Sequence, residues 1–453
     1  MNLPNGKSRM NQLIKNAFLI LPFAFLGVSP YAAAAKSSTD KMAFYVYPHD
    51  VLKKASESVE AVRQHLQEIK RHVGSSSRFG TVGIAVVHPY TAFVVGEGPD
   101  KFRVQNHFPI LYDRVVQAAQ AEAMPVMVCF NGAQWASVEG PYNEYWKLKD
   151  GGKYLSRYID GKVNESIAAT EFIKPDILRP FLSTGPYGDA KNALFLTHSA
   201  RASDLRTSRL KVLRLAAQMW KGICNSRKDA KVVFSTDSEV ANFSFRRSQG
   251  RMIPLGYEKL LTDEFCRKHN VTDRKAFFAR ERIPYETDLE KQWFAFRADI
   301  HHAFVQDSVD AILSELGDVT IYTHQIPTLG GEYLSAIGHD FASPQRSAFA
   351  RGSLPGFTIY VHGKVDARVK KFAAEIERKV GDSHWGAVEF NPGRSWKGNQ
   401  QELADYTLAL LRYLHRHGCR VVAPLSWESN ALDQGIKDSG VDAGIKKYLL
   451  VGP

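Results

Sequence analysis

Val232-Val233-Phe234-Ser235-Thr236-Asp237-Ser238-Glu239 reads as a β-strand that runs into an acid. It opens on consecutive apolar residues, the mark of a strand covered on both faces, and such strands belong to parallel sheets. Seven more stretches read the same way: residues 43–47 (AFYVY), 82–87 (VGIAVV), 125–130 (PVMVCF), 319–323 (VTIYT), 357–361 (FTIYV), 386–389 (GAVE) and 420–425 (RVVAPL). Helical patterns separate them. Leu52, Ala55, Val59, Val62, Leu66, Ile69 and Val73 step by three and four, one face of a helix linking the first two strands. Residues 210–223 do so before the fourth strand, 365–380 before the seventh, and 403–417 before the eighth, where Gly418 stands as a C-terminal stop. Eight strands alternating with helices predict an α/β fold, a (β/α)8 barrel. A doubly wound open sheet is the rival. Its phosphate turn needs glycines after the first strand, where this chain has Tyr47-Pro48-His49-Asp50.

Two connections are longer than a βα loop requires. Residues 131–206 lie between the third strand and its helix, and 240–292 between the fourth strand and its helix. Both start at C-terminal strand ends, the face on which barrel sites are built, so they are expected to wall a cleft.

The first 35 residues read as a signal peptide. Lys7, Arg9 and Lys15 make a basic start, Ala17 to Val28 (AFLILPFAFLGV) is too short to span a bilayer, and Ala32 to Ala35 supply small residues for cleavage. The expectation is a secreted or periplasmic protein whose residues 36–453 form one barrel domain. Cleavage would remove three basic and no acidic residues, taking the formal charge from +12 to +9. That excess is spread without a Lys/Arg run, which argues against nucleic acid as partner. The four cysteines, Cys129, Cys224, Cys266 and Cys419, have neither a disulfide-framework density nor metal-site spacing.

Glu239 and Glu389 close the fourth and seventh strands, which face each other across the mouth of an eight-stranded barrel. Two carboxyls held rigidly on either side of a bond are what glycosidic cleavage needs: one protonates the leaving oxygen, the other attacks the anomeric carbon or activates water.

An acid/base glutamate after strand four and a nucleophile glutamate after strand seven resemble the signature of the clan A glycoside hydrolases, which are retaining enzymes. Thr236-Asp237-Ser238-Glu239 is similar to the Thr-Asp-Asn-Glu motif of the family 42 β-galactosidases, and residues 265–278 and 293–312 follow in a similar layout. The resemblance implies Glu239 as acid/base and Glu389 as nucleophile, in a glycosidase acting on an oligo- or polysaccharide without a cofactor, and the signal peptide makes it a secreted one. Ser238 departs from the pattern: the family has an asparagine there that binds the sugar 2-hydroxyl, and serine reaches less far. The family's cysteine zinc cluster is also absent, so the substrate does not carry over.

Strands five and six carry a matching pair, Thr320-Ile321-Tyr322-Thr323-His324 and Thr358-Ile359-Tyr360-Val361-His362. Period two puts Tyr and His of each on one face, and an inward face would bring His324 and His362 to the mouth. In clan A a strand-six aromatic commonly bonds the nucleophile, a role open to Tyr360 or His362. Trp427 after strand eight and Trp135 in Asn131-Gly132-Ala133-Gln134-Trp135 after strand three are candidate sugar platforms, or else residues that pack a loop. With Asp237, Ser238 and Asn131 they complete the expected substrate site.

No metal is expected, because no His-x-His follows the first strand. The pair His301-His302 falls in a helix, where adjacent positions cannot face one ligand. Two other readings fit the sequence: a non-catalytic carbohydrate-binding barrel, with Ser238 as the trace of lost chemistry, and a lyase drawn to an acidic glycan by the basic charge.

Overall fold

The computed structural model describes residues 41–88, 94–98, 101–104, 106–131, 203–237, 245–248, 251–254, 259–273, 277, 287–325, 350–360, 367–380, 384–393, 396, 398–424, 426–428 and 435–453. The signal-peptide reading of residues 1–35 lies outside them.

Eight parallel strands close a barrel in sequence order: β1 (Met42–Val46), β2 (Gly80–His88), β3 (Val126–Asn131), β4 (Val232–Asp237), β5 (Ile321–Gln325), β6 (Leu354–Tyr360), β7 (Trp385–Asn391) and β8 (Cys419–Pro424). The seam is β1 on β8, with Ala43 opposite Val421 and Phe44 opposite Val422. Each expected strand is present, most shifted by a residue or two. The described helices are α1 (Val51–Glu57), α2 (Val59–Val73), α3 (His107–Ala121), α4 (Ser203–Ser226), α5 (Lys259–His269), α6 (Asp288–Leu316), α7 (Ala367–Val380), α8 (Gln400–Arg416) and α9 (Gly440–Val451).

Alternation along the strands sorts side chains into two layers. Tyr45, Tyr47, Ala85, Met127, Cys129, Tyr322, Val388, Val421 and Ala423 fill the barrel interior. Their neighbours of opposite parity, Phe44, Val46, Ile84, Val128, Phe234, Ile321, Phe357 and Val422 among them, pack outward against helix residues such as Leu66, Val115, Trp220 and Ile445. Each such side chain taken fully from water contributes about 1.5–3 kcal/mol, so the helical sleeve rather than the narrow interior carries most of the stability. Burial pushes the Tyr45 and Tyr322 phenols up from their ordinary value.

The helix expected after the first strand is two. Ser58 is extended (φ −168°, ψ 167°), closes α1 by donating its N–H to Lys54 O at 3.1 Å, and caps α2 by accepting the Ala61 N–H at 3.0 Å. The apolar period runs through the break because both helices bury the same side, Val51 and Ala55 on α1 and Val62, Leu66, Ile69 and Val73 on α2. Helix α8 ends as expected, with Gly418 in the left-handed region at φ +87° just past its cap.

Short antiparallel hairpins, Val94–Gly98 with Lys101–Val104 and Phe245–Ser248 with Arg251–Pro254, were not foreseen from the sequence. After the second hairpin, α5 packs on α6 through Leu261 and Phe265 against Trp293, Phe296 and Ile300. His301 is buried within α6. No described helix is long and apolar enough to cross a membrane. The four cysteines are free thiols.

Candidate active site

The seventh strand carries an irregularity that sets the direction of Glu389. Along β6, Gly356 lies opposite Gly386 and Thr358 opposite Glu389, so two residues on β6 match three on β7. Along β8, Ala387 lies opposite Val422 and Phe390 opposite Pro424, again two against three. Both neighbours see one extra residue in β7, a β-bulge at Val388. Before the bulge Ala387 packs outward with the helices, and after it Phe390 does the same. Val388 fills the barrel interior, and Glu389 is turned to the interior side as well, its Oε2 3.7 Å from His324 Nε2. Strict alternation from Val388 would have sent the carboxylate into the apolar layer under the helices. The bulge brings it to the mouth, where its side chain keeps 18 % of its surface open.

His324 is 1 % exposed, near the end of β5. Its Nε2 shares a hydrogen bond with the hydroxyl of Thr358 on β6 and also faces Glu389 Oε2, so the ring stands between strands six and seven. Among the described residues it is the expected histidine that stands beside a catalytic candidate. His88, at the end of β2, belongs instead to the outer layer: its Nδ1 accepts the Trp220 indole N–H at 3.2 Å, and it packs on Tyr112 and Phe130. Burial pushes its pKa down to about 3, so it is neutral.

Beyond the strand ends, β7 turns at Asn391, whose Oδ1 accepts the Gly393 N–H at 3.1 Å, an Asx turn. At the β1–β8 seam the Tyr47 N–H donates to Pro424 O at 3.4 Å and Tyr47 O accepts the Trp427 N–H at 2.8 Å. Between those contacts Ser426 is buried at φ +61°, a conformation that costs a non-glycine residue about 1 kcal/mol or more, and its Oγ bonds His49 Nε2 at 2.8 Å. Next to it, burial works to raise the Glu428 carboxyl, but His65 at 3.1 Å and the His49 N–H at 3.0 Å outweigh it and hold the group below its usual range.

Trp427 is 0 % exposed, joins the main core, and meets His72 edge-on with ring centres 5.6 Å apart. Its ring packs the connection after β8 and in this position offers no face to a sugar. Asn131, Asp237 and Tyr360 are the last residues of β3, β4 and β6; Asp237 stands opposite both Asn131 and His324, and Tyr360 opposite Asn391. Trp135, Ser238, Glu239 and His362 lie outside the described residues. Sequence reasoning missed Thr358 and Tyr47, whose only signal was their phase with Tyr360 and Tyr45 on strands already predicted.

Among the described residues one group has the makeup of a cation site, His72, Asp438 and Asp442, with donor atoms within 4.8 Å of one another. Its members already satisfy each other: His72 Nδ1 meets Asp438 at 3.0 Å, and Asp442 Oδ2 accepts the Asp438 N–H at 2.9 Å. They belong to α2 and the start of α9, not to the strand ends.

No protein-family profile matches the sequence, and no curated protein sequence matches it. Solved structures do. A β-galactosidase from the psychrophilic Marinomonas ef1 is 10% identical over 90% of this chain and 59% of its own, with a TM-score of 0.49. The cold-adapted β-galactosidase from Rahnella sp. R3 is 10% identical over 92% of this chain and 56% of its own, also with a TM-score of 0.49. A GH5 family lichenase from Caldicellulosiruptor sp. F32 is 12% identical over 85% of this chain and 84% of its own, with a TM-score of 0.44. The chain thus spans under two thirds of the length of the two β-galactosidases.

Proposed function

We propose that the protein is a secreted glycoside hydrolase that cleaves with retention, using Glu389 as nucleophile and Glu239 as acid/base. The observation that carries this reading is the bulge that turns Glu389 into the barrel mouth beside His324. A strand-end carboxylate with no task has no need of an irregular ladder to reach an open, polar position.

In the first step a Glu389 oxygen attacks the anomeric carbon while Glu239 donates its proton to the departing glycosidic oxygen. In the second, Glu239 takes a proton from water, the water oxygen displaces Glu389 from the sugar, and both groups return to their starting states. His324 lies against one carboxylate oxygen and orients the group. Asp237 and Asn131 at the ends of neighbouring strands, Tyr360 or His362, and Trp135 are the proposed sugar contacts. Ser238 gives a weaker contact to the 2-hydroxyl than asparagine would, or suits a sugar altered at that carbon.

The test is a panel of aryl glycosides and polysaccharides assayed with wild type and Glu389→Ala in parallel. Wild type should turn over at least one of them, and the variant should lose about three orders of magnitude or more in kcat. Turnover by Glu389→Ala within tenfold of wild type would remove the proposed mechanism.

A further inference from the structure

We infer that Tyr47 is a positioning residue for Glu389, its phenol fastening the β7 bulge from two strands away. The bulge leaves Val388 without an opposite residue on either β6 or β8. A buried carbonyl at such an irregularity needs a donor. The Val388 carbonyl finds it in Tyr47 Oη, which donates at 3.2 Å. β1 does not pair with β7, because β8 lies between them, so this bond crosses the barrel interior over one intervening strand.

The donor is itself fixed. Tyr47 is 5 % exposed, and its backbone is held on both sides, N–H to Pro424 O and carbonyl from the Trp427 N–H. The phenol therefore reaches Val388 from an anchored backbone, one residue before Glu389. The Val388 side chain is packed in the barrel interior close against Gly356, so the phenol meets a carbonyl whose own residue is already held in place. Losing the hydroxyl would free the Val388–Glu389 peptide to turn, and the carboxylate would leave its place against His324. The effect on catalysis rests on Glu389 being the nucleophile; the effect on the bulge does not.

Tyr47→Phe keeps the ring and its packing and removes only the donor. Tyr45→Phe removes another phenol from the same interior layer and serves as the comparison. For Tyr47→Phe, kcat and the rate of covalent labelling by a 2-fluoro glycoside should fall together by about 10- to 100-fold, the scale of an ångström-sized misplacement, with KM within about twofold. Its Tm should match that of Tyr45→Phe, and its crystal structure should show Glu389 Oε2 farther from His324 Nε2 than 3.7 Å. Substituting 3-fluorotyrosine at position 47 retains a donor and should retain wild-type kcat; a loss equal to that of Tyr47→Phe would make the effect one of packing and overturn the inference. So would Tyr47→Phe with wild-type kcat and an unmoved Glu389. If wild type turns over no glycoside, the glycosidase reading fails by itself, and the crystal structure of Tyr47→Phe still decides the inference.

Discussion

Replacing Gly356 by alanine probes the barrel interior where β5, β6 and β7 meet under the bulge. A Cβ at this position would lie 2.3 Å from Thr323 O on β5, and 2.9 and 3.1 Å from the two Val388 methyl groups. Carbon normally approaches such atoms no closer than about 3.3–3.5 Å, so the overlap with the carbonyl is about 1 Å. The carbonyl is backbone within the ladder and cannot rotate aside. Overpacking of this kind costs about 1–3 kcal/mol, and the immovable partner puts Gly356→Ala at the upper end, against about 0.5 kcal/mol regained from a stiffer unfolded chain. The net expectation is a loss of about 2–3 kcal/mol in urea unfolding at neutral pH. Gly222→Ala on α4 is the counterpart. Nothing lies within 4 Å of a Cβ there, so the same change should stabilise by about 0.5–1 kcal/mol. Relief of the Gly356→Ala clash presses on Val388, so kcat should fall as well. A Gly356→Ala protein within 0.5 kcal/mol of wild type would refute the close packing of Gly356 against Thr323 and Val388 under the bulge.

Three further outcomes follow from buried polar groups. Burial raises the Asp442 carboxyl to about 6, above its unfolded value near 4, so its contribution is complete below about pH 4 and lost as pH rises through 6. Asp442→Asn should therefore gain about 2 kcal/mol at pH 7 and flatten the stability profile between pH 4 and 6, measured by urea unfolding across pH; an unchanged profile would contradict it. His88 has the opposite sign: its folded value near 3 lies below the unfolded 6.5, so it contributes stability above pH 6.5 that is lost on acidification, up to about 5 kcal/mol over the window. His88→Gln should unfold less steeply below pH 6 than wild type, and equal acid midpoints would argue against the buried neutral ring. Thr358→Val removes the hydroxyl bonded to His324 Nε2 and should cost about 1–2 kcal/mol. The same change should lower kcat, because the freed imidazole shifts against Glu389, and a variant unchanged in both would show the bond to be idle.

The barrel was legible because its strands are buried on both faces and read as short, dense apolar runs, as in 126–130 and 420–424. What escaped lies where local pattern and tertiary packing part company. The break at Ser58 left no trace in the apolar period, since α1 and α2 turn the same side inward. The hairpins at 94–104 and 245–254 are too short and too polar to alternate recognisably. Trp427 was a platform candidate by its place after β8, yet the left-handed turn at Ser426 leads it into the core beside His72. The bulge is the sharpest case. Gly386-Ala387-Val388-Glu389 reads as a regular strand, and period two would place Glu389 opposite Val388 in direction. Only the mismatch with both neighbours, three residues against two, shows that the two share the interior.

Retention through Glu389 requires this carboxylate to form a covalent bond to the sugar. Incubation with 2-fluoro glycosides bearing good leaving groups, followed by proteolysis and peptide mass mapping, would trap and locate that bond. One added fluoroglycosyl mass is expected on the peptide containing Glu389, with activity lost in step with labelling and no label on Glu389→Ala. A glycosyl label on a different carboxylate, or hydrolysis by a protein that never labels while Glu389→Ala remains active, would contradict it.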